Sequence, residues 1–278
     1  MKAKDIIAIY CLCEEYLKSL GMNKKSWPNE KMSNAEVMTT LIVATRFFYG
    51  NIERARVMLK SYGHIPSMLS KSQLNRRIHN LSDEIWEGII SYAHSKYGIQ
   101  HLDKDFIIDS FPVRVCHNIR IKRCKIFQDE SYRGYNASKK EFFYGLKVTV
   151  ISTLEGLPVK TFLAPGSMHD LTALKTIGLT DFPKNSTIYG DAAYIDYDYE
   201  EKIKNTGKKL IAERKGNSLK PLDLEDYINL KAHRKKIETV FSKITGYISR
   251  KIQAVTSRGF RLKVLNFIIA ESTTFILS

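Results

Sequence analysis

Apolar positions along the first hundred residues recur at helical spacing. Residues 5–19 carry a stripe at i, i+3 and i+4. "SNAEVMTTLIVATRFFYG" opens with Ser33 and Glu36 at capping-box spacing and closes on Gly50, which predicts a buried helix. Further helices are expected over 51–61, 71–80 and 83–97. After "GIQHLDKD" the period falls from 3.6 to 2. "DFIIDSFPVRVC" reads as a strand, followed by a long basic loop and then by "FFYGLKVTVIST" and "PVKTFLAP", a hairpin turning at "LEGL". A helix at "HDLTALKTIG", a strand at "STIYGD", a helix at "YDYEEKIKNTG" and a strand at "KKLIAE" come next, with closing helices over 228–248 and 260–276. The pattern predicts an all-helical N-terminal domain over 1–100 and an α/β domain with a mixed sheet flanked by helices over 101–278.

Two apolar strand runs lead into bare carboxylates: in "FIIDSFPVRV" Phe106, Ile107 and Ile108 lead into Asp109, within the first strand, and "TIYGDAAY" runs through Gly190 into Asp191, which ends the fourth. Functional groups of an α/β sheet collect where strands end and connections cross, so two acids on neighbouring strands could converge. Close carboxylates repel unless a cation sits between them, and Mg²⁺ is commonly held by one or two carboxylates with waters and substrate phosphates completing its shell. A third acid stands out by isolation: from Lys231 to Lys263 there are ten Lys or Arg and one acid, Glu238. It flanks an apolar helical stripe one turn beyond Arg234, leaving Arg234, Lys235, Lys236 and Lys243 for phosphates. Taken singly, Asp109 could be a strand-end residue, Asp191 a turn residue and Glu238 an ion-pair partner of Arg234, a contact worth only ~0.2–0.5 kcal/mol. Chance coincidence of all three is the weaker explanation.

Lys and Arg outnumber Asp and Glu by 44 to 29, a net charge of +15 with a pI near 9.5, which points to a polyanion. Nucleic acid is favoured over a membrane surface because no basic amphipathic helix with a bulky apolar face dominates. The C-terminal "VLNFIIAESTTFILS" is broken by Asn266 and Glu271 and reads as a packed helix, and no signal peptide is evident, so a cytoplasmic protein is expected. Four cysteines, without a CxxC pair or zinc-finger histidines, read as reduced, half-buried thiols. Between Arg114 and Lys147 nine Lys or Arg, Arg133, Lys139 and Lys140 among them, face three acids and are interleaved with Tyr132, Tyr135, Phe142 and Tyr144. That tract could clamp a DNA end and stack an aromatic on an unpaired base, although strand alternation favours packed positions for Phe142 and Phe143.

The segment "SKSQLNRRIHNL" can be capped by Ser70 or Ser72 and displays Lys71, Arg76, Arg77 and His79. It could be a helix-turn-helix reader of DNA or a solvated basic face, and both readings stand. Asp170 is placed to cap the helix after it, while a supporting role for His169 and Asp170 near a metal stays open. His117 and His233 read as surface or phosphate-contacting residues, Trp27 and Trp86 as core.

Asp109 in "IIDSFPV", Asp191 in "YGDAAY" and Glu238 in "RKKIETVFSKI" resemble the DDE triad of bacterial insertion-sequence transposases, most closely the insertion sequence 982 family. The resemblance extends over "GYNASKKEFFYGLKVTVIST", "PGSMHDLTAL" and the Arg-x3-Glu helix. It implies a ribonuclease-H-like fold, two Mg²⁺ or Mn²⁺ ions with Asp109 between them and Asp191 and Glu238 each on one, and cleavage and joining of double-stranded DNA. The substrates implied are the terminal inverted repeats and target DNA, handled by a homodimer in the bacterial cytoplasm beside the nucleoid. The 47 positions between Asp191 and Glu238 leave no room for a large insertion domain. A tyrosine and a lysine that flank the Arg and Glu in related branches are not at matching spacing. A nuclease of similar fold without strand joining, and a non-catalytic DNA-binding relative, are the alternatives.

Overall fold

The computed structural model describes residues 2–23, 29–97, 104–137, 139–216, 218–248 and 252–277; Trp27 lies outside them. The chain divides into two compact units: Met1–Gly98 with Gly246–Ile252 and Arg261–Ser278, and Ile99–Thr245 with Gln253–Phe260. The C-terminal segment thus belongs with the N-terminal helices, where the sequence pattern carries it with the sheet.

In the helical unit the expected elements form as α1 (Ala3–Ser19), α2 (Asn34–Phe48), α3 (Ile52–Ser61), α4 (Lys71–Asn80) and α5 (Asp83–Tyr97). Helix α2 is buried from Val37 to Thr45 without a polar face, as befits a central helix. Its capping box is formed: the Glu36 amide donates to Ser33 Oγ at 3.1 Å and the Ser33 amide to the Glu36 carboxylate at 2.7 Å. Left-handed Tyr49 and Gly50 turn the chain out of it. Trp86 is fully buried, its indole donating to the Ile78 carbonyl.

Ser70 caps α4, which exposes Lys71 and Arg76. Arg77 departs from the basic-face expectation: its guanidinium pairs with Glu30, nearly buried, and donates to Asn34 Oδ1 at 2.9 Å. It is a strut inside the unit, so Arg77→Ala should cost about 1–2 kcal/mol by weakening the pairing of a nearly buried carboxylate. Denaturant melts check this, and DNA affinity is expected to stay within about twofold of wild type, since the guanidinium is already engaged within the unit.

The second unit is built on a six-stranded sheet: β1 (Asp105–Cys116), β2 (Arg133–Asn136), β3 (Glu141–Thr153), β4 (Pro158–Pro165), β5 (Thr187–Gly190) and β6 (Lys209–Ala212). Strand order is β2-β3-β1-β5-β6, with β4 also on β3. β2, β3, β4 and β1 pair antiparallel, whereas β1, β5 and β6 run parallel, so the sheet is mixed as the pattern predicts. β2 is the correction: it lies inside the expected loop, where Gly134 permits a backbone approach that a side chain would forbid. A Cβ there would meet the Gly166 carbonyl at 2.2 Å and the Phe143 ring at 2.5 Å.

Helices α6 (Asp170–Ile177) and α7 (Tyr197–Lys204) bring Leu174 and Ile203 into one apolar cluster with Phe106, Ile108, Ile188 and Leu210 of the sheet. Burying such side chains stabilises by about 1.5–3 kcal/mol each before entropy is subtracted. Odd-numbered β1 positions turn to the other face, where the Phe111 ring meets Phe241 of α8 (Leu224–Tyr247) edge to face at 6.2 Å. Helix α9 (Ser257–Ser272) and α10 (Thr274–Leu277) close the chain. From Arg261 on they lie in the helical unit, with Asn266 and Glu271 buried and Glu271 paired to Arg46 at 3.8 Å. Among the described residues no helix is long and apolar enough to cross a membrane. All four cysteines are free: Cys13 is buried, Cys11 exposed, and Cys116 and Cys124 between the two.

Candidate active site

Register explains why a carboxylate follows the apolar run in "TIYGDAAY". Strand β1 pairs with β5 from Asp105↔Thr187 to Ile107↔Tyr189, and β5 with β6 up to Gly190↔Ala212. Continuing the ladder by its own step sets Asp109, Asp191 and Glu213 level, just past the C-terminal ends of β5 and β6 and within β1, which runs on to Cys116. Ligand sites of open α/β sheets form at this edge. Gly190 sets the spacing: a Cβ there would stand 2.8 Å from the Tyr194 ring and 3.0 Å from Ile108 Cγ2. A larger residue would push the Asp191 turn away from β1.

Across this edge lies α8. Lys231, Arg234 and Glu238, at i, i+3 and i+7, share the face turned to the strands. Together with Asp109, Asp191 and Glu213 they line one cleft of about 150 Å³. The three acids singled out in the sequence therefore meet at one cleft, from positions far apart in the chain.

Electrostatics mark Asp109 as the most perturbed of them. Burial pushes its carboxyl up to about 7; a 2.7 Å hydrogen bond from the Ser110 amide opposes the rise, and the charges of Asp191, Asp170 and Glu238 add to it. Asp191 opens to solvent at the rim, yet the protein packed around it raises its carboxyl too. The Ala193 amide, donating to it at 2.9 Å, and the Arg234 charge act the other way, while Asp170 and Glu213 act with burial.

Behind Asp109, on the opposite face of β1, a polar cluster is held in place. Ser110 Oγ donates to Asp170, and Lys147 Nζ lies 3.3 Å from the same carboxylate. Asp170 is therefore not the cap of α6. His169 occupies that position, exposed and without a side-chain capping bond, and Asp170 in the first turn reaches across to β1 and β3. The Tyr194 hydroxyl is buried close to Asp109, Asp170 and Asp191, and burial with those charges holds its pKa well above the ordinary tyrosine range.

The expected cations divide into two groups. Arg234 is not free for phosphate: it forms an ion pair with Glu213, which Lys231 approaches at 3.7 Å. Lys235, Lys236 and Lys243 are exposed along α8. Arg133 pairs with Glu130 at 2.7 Å, while Lys139 and Lys140 are exposed at the β2–β3 turn. His117 is exposed as expected. His233 is only partly exposed: its ring packs on Tyr189 at 4.7 Å, its Nδ1 is buried, and burial lowers its pKa. Phe143 is buried, but Phe142 is 56% exposed, against the packed position expected for it.

Glu213 and Lys231 are the members that the sequence reading passes over. The signal was present: "KKLIAE" is a third apolar strand running into an acid, but Glu213 sits at its end with two lysines at its start, so it reads as an ordinary charged terminus.

The donor set suits a hard divalent cation, since Asp109, Asp191 and Glu238 supply only oxygens and a cation offsets both the burial that raises Asp109 and the repulsion that adds to it. As placed, no three His, Cys, Asp or Glu side chains among the described residues gather closely enough to form a metal centre.

Compared with known families, residues 100–253 match the family described as the transposase DDE domain. The match spans Asp109, Asp191, the cleft and the whole of α8. Neither the curated proteins nor the solved structures give a match.

Proposed function

We propose, on the premise that this chain belongs to the transposase DDE-domain family, that it is the transposase of a bacterial insertion sequence. In this reading it binds the terminal inverted repeats, cuts DNA beside them and joins the freed end to target DNA. The observation carrying it is the meeting of Asp109, Asp191 and Glu238 at one cleft, where the parallel pairing of β1 with β5 and β6 ends. The motifs quoted above support the insertion sequence 982 branch and a ribonuclease-H-like sheet. A homodimer follows from the need to handle two element ends together, and the bacterial cytoplasm, beside the nucleoid, is where such DNA lies.

Asp109, Asp191 and Glu238 would hold the ions, two Mg²⁺ or Mn²⁺. Bound there, such ions activate the attacking water or 3′-hydroxyl and stabilise the leaving oxygen. The protein's own share is positioning. The Ser110 and Ala193 amides fix the carboxylates of Asp109 and Asp191, and the ion pair of Arg234 with Glu213 holds α8 over the sheet edge. Phosphoryl transfer asks little more of the chain than alignment and charge neutralisation. Lys235, Lys236 and Lys243 supply exposed positive charge along the same helix.

End-labelled DNA carrying the element termini, incubated with the protein and Mg²⁺, tests the reading. Cleaved and then joined products are expected. Cleavage without joined species under any condition would leave a nuclease, and no cleavage with intact binding would leave a DNA-binding relative. The lysines have their own test: Lys235→Ala with Lys236→Ala should flatten the slope of log affinity on log salt by about 0.9 for each phosphate no longer neutralised. Anisotropy titrations across a salt series read that slope.

A further inference from the structure

At the far end of β3 from the acid cleft, two aromatic rings stand uncovered. Tyr135 and Phe142 are a cross-strand pair of the β2–β3 hairpin, with ring centroids 5.0 Å apart, and are 51% and 56% exposed. Asp109 pairs with Val150, and Val150 is an even number of residues from Phe142, so the rings emerge on the sheet face that carries Asp109. Two residues further in, Tyr144 on this face is covered: its ring lies near Tyr132, which stacks on Phe127, and its hydroxyl donates to the Asp129 carbonyl. The covering layer stops there. Phe142 is nonetheless held in place, because its carbonyl accepts from Asn118 Nδ2 at 2.9 Å.

Exposed rings at half or more of their surface are not serving the core, and their neighbours tell what they face. At the hairpin turn Lys139 and Lys140 are exposed, while the adjacent acid, Glu141, is tied to Arg114. A second copy apposed at this patch would set its own Lys139 and Lys140 against these, like charge on like. A DNA strand brings phosphates. Duplex DNA offers phosphates but keeps its base faces stacked inside, so rings beside lysines fit a base that has left the stack.

We propose that Tyr135 and Phe142 form a stacking platform for an unpaired nucleobase of a DNA strand whose phosphates lie on Lys139 and Lys140. The inference rests on the DNA-processing reading above and adds where a frayed or single-stranded stretch is held. From Val150, opposite Asp109, to Phe142 is eight residues, about 27 Å of strand at ~3.4 Å per residue, or roughly eight nucleotides of a single strand of B-form spacing.

The test uses the full chain and two fluorescent DNAs, a blunt duplex and the same duplex with a single-stranded extension carrying 2-aminopurine. Wild type should bind the extended DNA more tightly and quench the 2-aminopurine. Tyr135→Ala with Phe142→Ala should weaken binding of the extended DNA by about tenfold or more, abolish the quench and leave the blunt duplex within about twofold. The conservative pair Tyr135→Phe and Phe142→Tyr should keep both. Equal loss on both DNAs, no loss on either, or a change in sedimentation of the free protein instead would overturn the platform. Failure of wild type to bind any DNA would instead overturn the reading on which it rests. Both rings are exposed, so circular dichroism of the variants is expected to match wild type.

Discussion

Replacing Asp191 with Asn should remove DNA cleavage while leaving DNA binding intact. An asparagine keeps an oxygen to accept the Ala193 amide, so the short turn after β5 stays in place and only the charge is removed. Losing an outer partner of a metal ligand already costs 10–100-fold, so losing a ligand's own charge should cost about 10³-fold or more, some 4 kcal/mol of barrier. Affinity, set by Lys and Arg on phosphates, should move by less than about twofold, in the direction of tighter binding because a negative charge leaves the cleft. Denaturing gels of labelled product read the first quantity and anisotropy the second. An Asp191→Asn protein that cuts at the wild-type rate would end the DDE reading. The counterpart at Glu213 separates ligand from tether: Glu213→Gln weakens the Arg234 pair but removes none of the three proposed ligands, and should lower the rate by about 10–100-fold, short of the loss at Asp191.

Asp109→Asn should stabilise the metal-free sheet unit at alkaline pH. With a folded pKa of about 7 against an ordinary value of 3.8, the native state holds its proton more tightly than the unfolded chain does. Stability from this group is therefore complete below about pH 4 and is lost as pH rises to 7 and beyond. The full shift corresponds to ~4 kcal/mol; allowing for relaxation and water, a gain of about 2–3 kcal/mol for the asparagine variant at pH 8 is expected. It should vanish near pH 4, where both side chains are neutral. The amide oxygen that this substitution introduces can still accept the Ser110 amide, so the comparison isolates charge. Thermal melts of the two proteins at pH 4, 6 and 8 follow the difference. Adding Mg²⁺ at pH 8 should raise the wild-type melting point and leave the variant's nearly unchanged. A difference that grows toward low pH would contradict the burial of this carboxyl.

Helices and strands were legible wherever one face is apolar: the pattern over 105–116, 158–165 and 71–80 gives those elements with their observed bounds. Asp109, Asp191 and Glu238 were legible for a related reason, since an acid against an apolar or basic background stands out. What failed depends on long-range neighbours. β2 is four residues whose presence depends on the close approach of Gly134 to Gly166, which no local period encodes. Asp170 matches a cap by position, yet its partners, Ser110 and Lys147, are set by the pairing of β1 with β3. Arg77 and Arg234 read as free cations because Glu30 and Glu213, which hold them, are distant in sequence. Phe142 follows the alternation rule in direction, but the layer that would cover it ends at Tyr144.

The gap between Asp109 and Asp191 depends on Gly190, where any side chain would collide with Ile108 and Tyr194, and such a steric limit ignores ionic strength. The proposed grip on nucleic acid should, by contrast, weaken steeply as salt rises. The two properties are thus separable: on the function proposed above, brine should release bound DNA without altering the spacing of the acids, and a return to dilute buffer should restore binding at once, with no slow recovery phase.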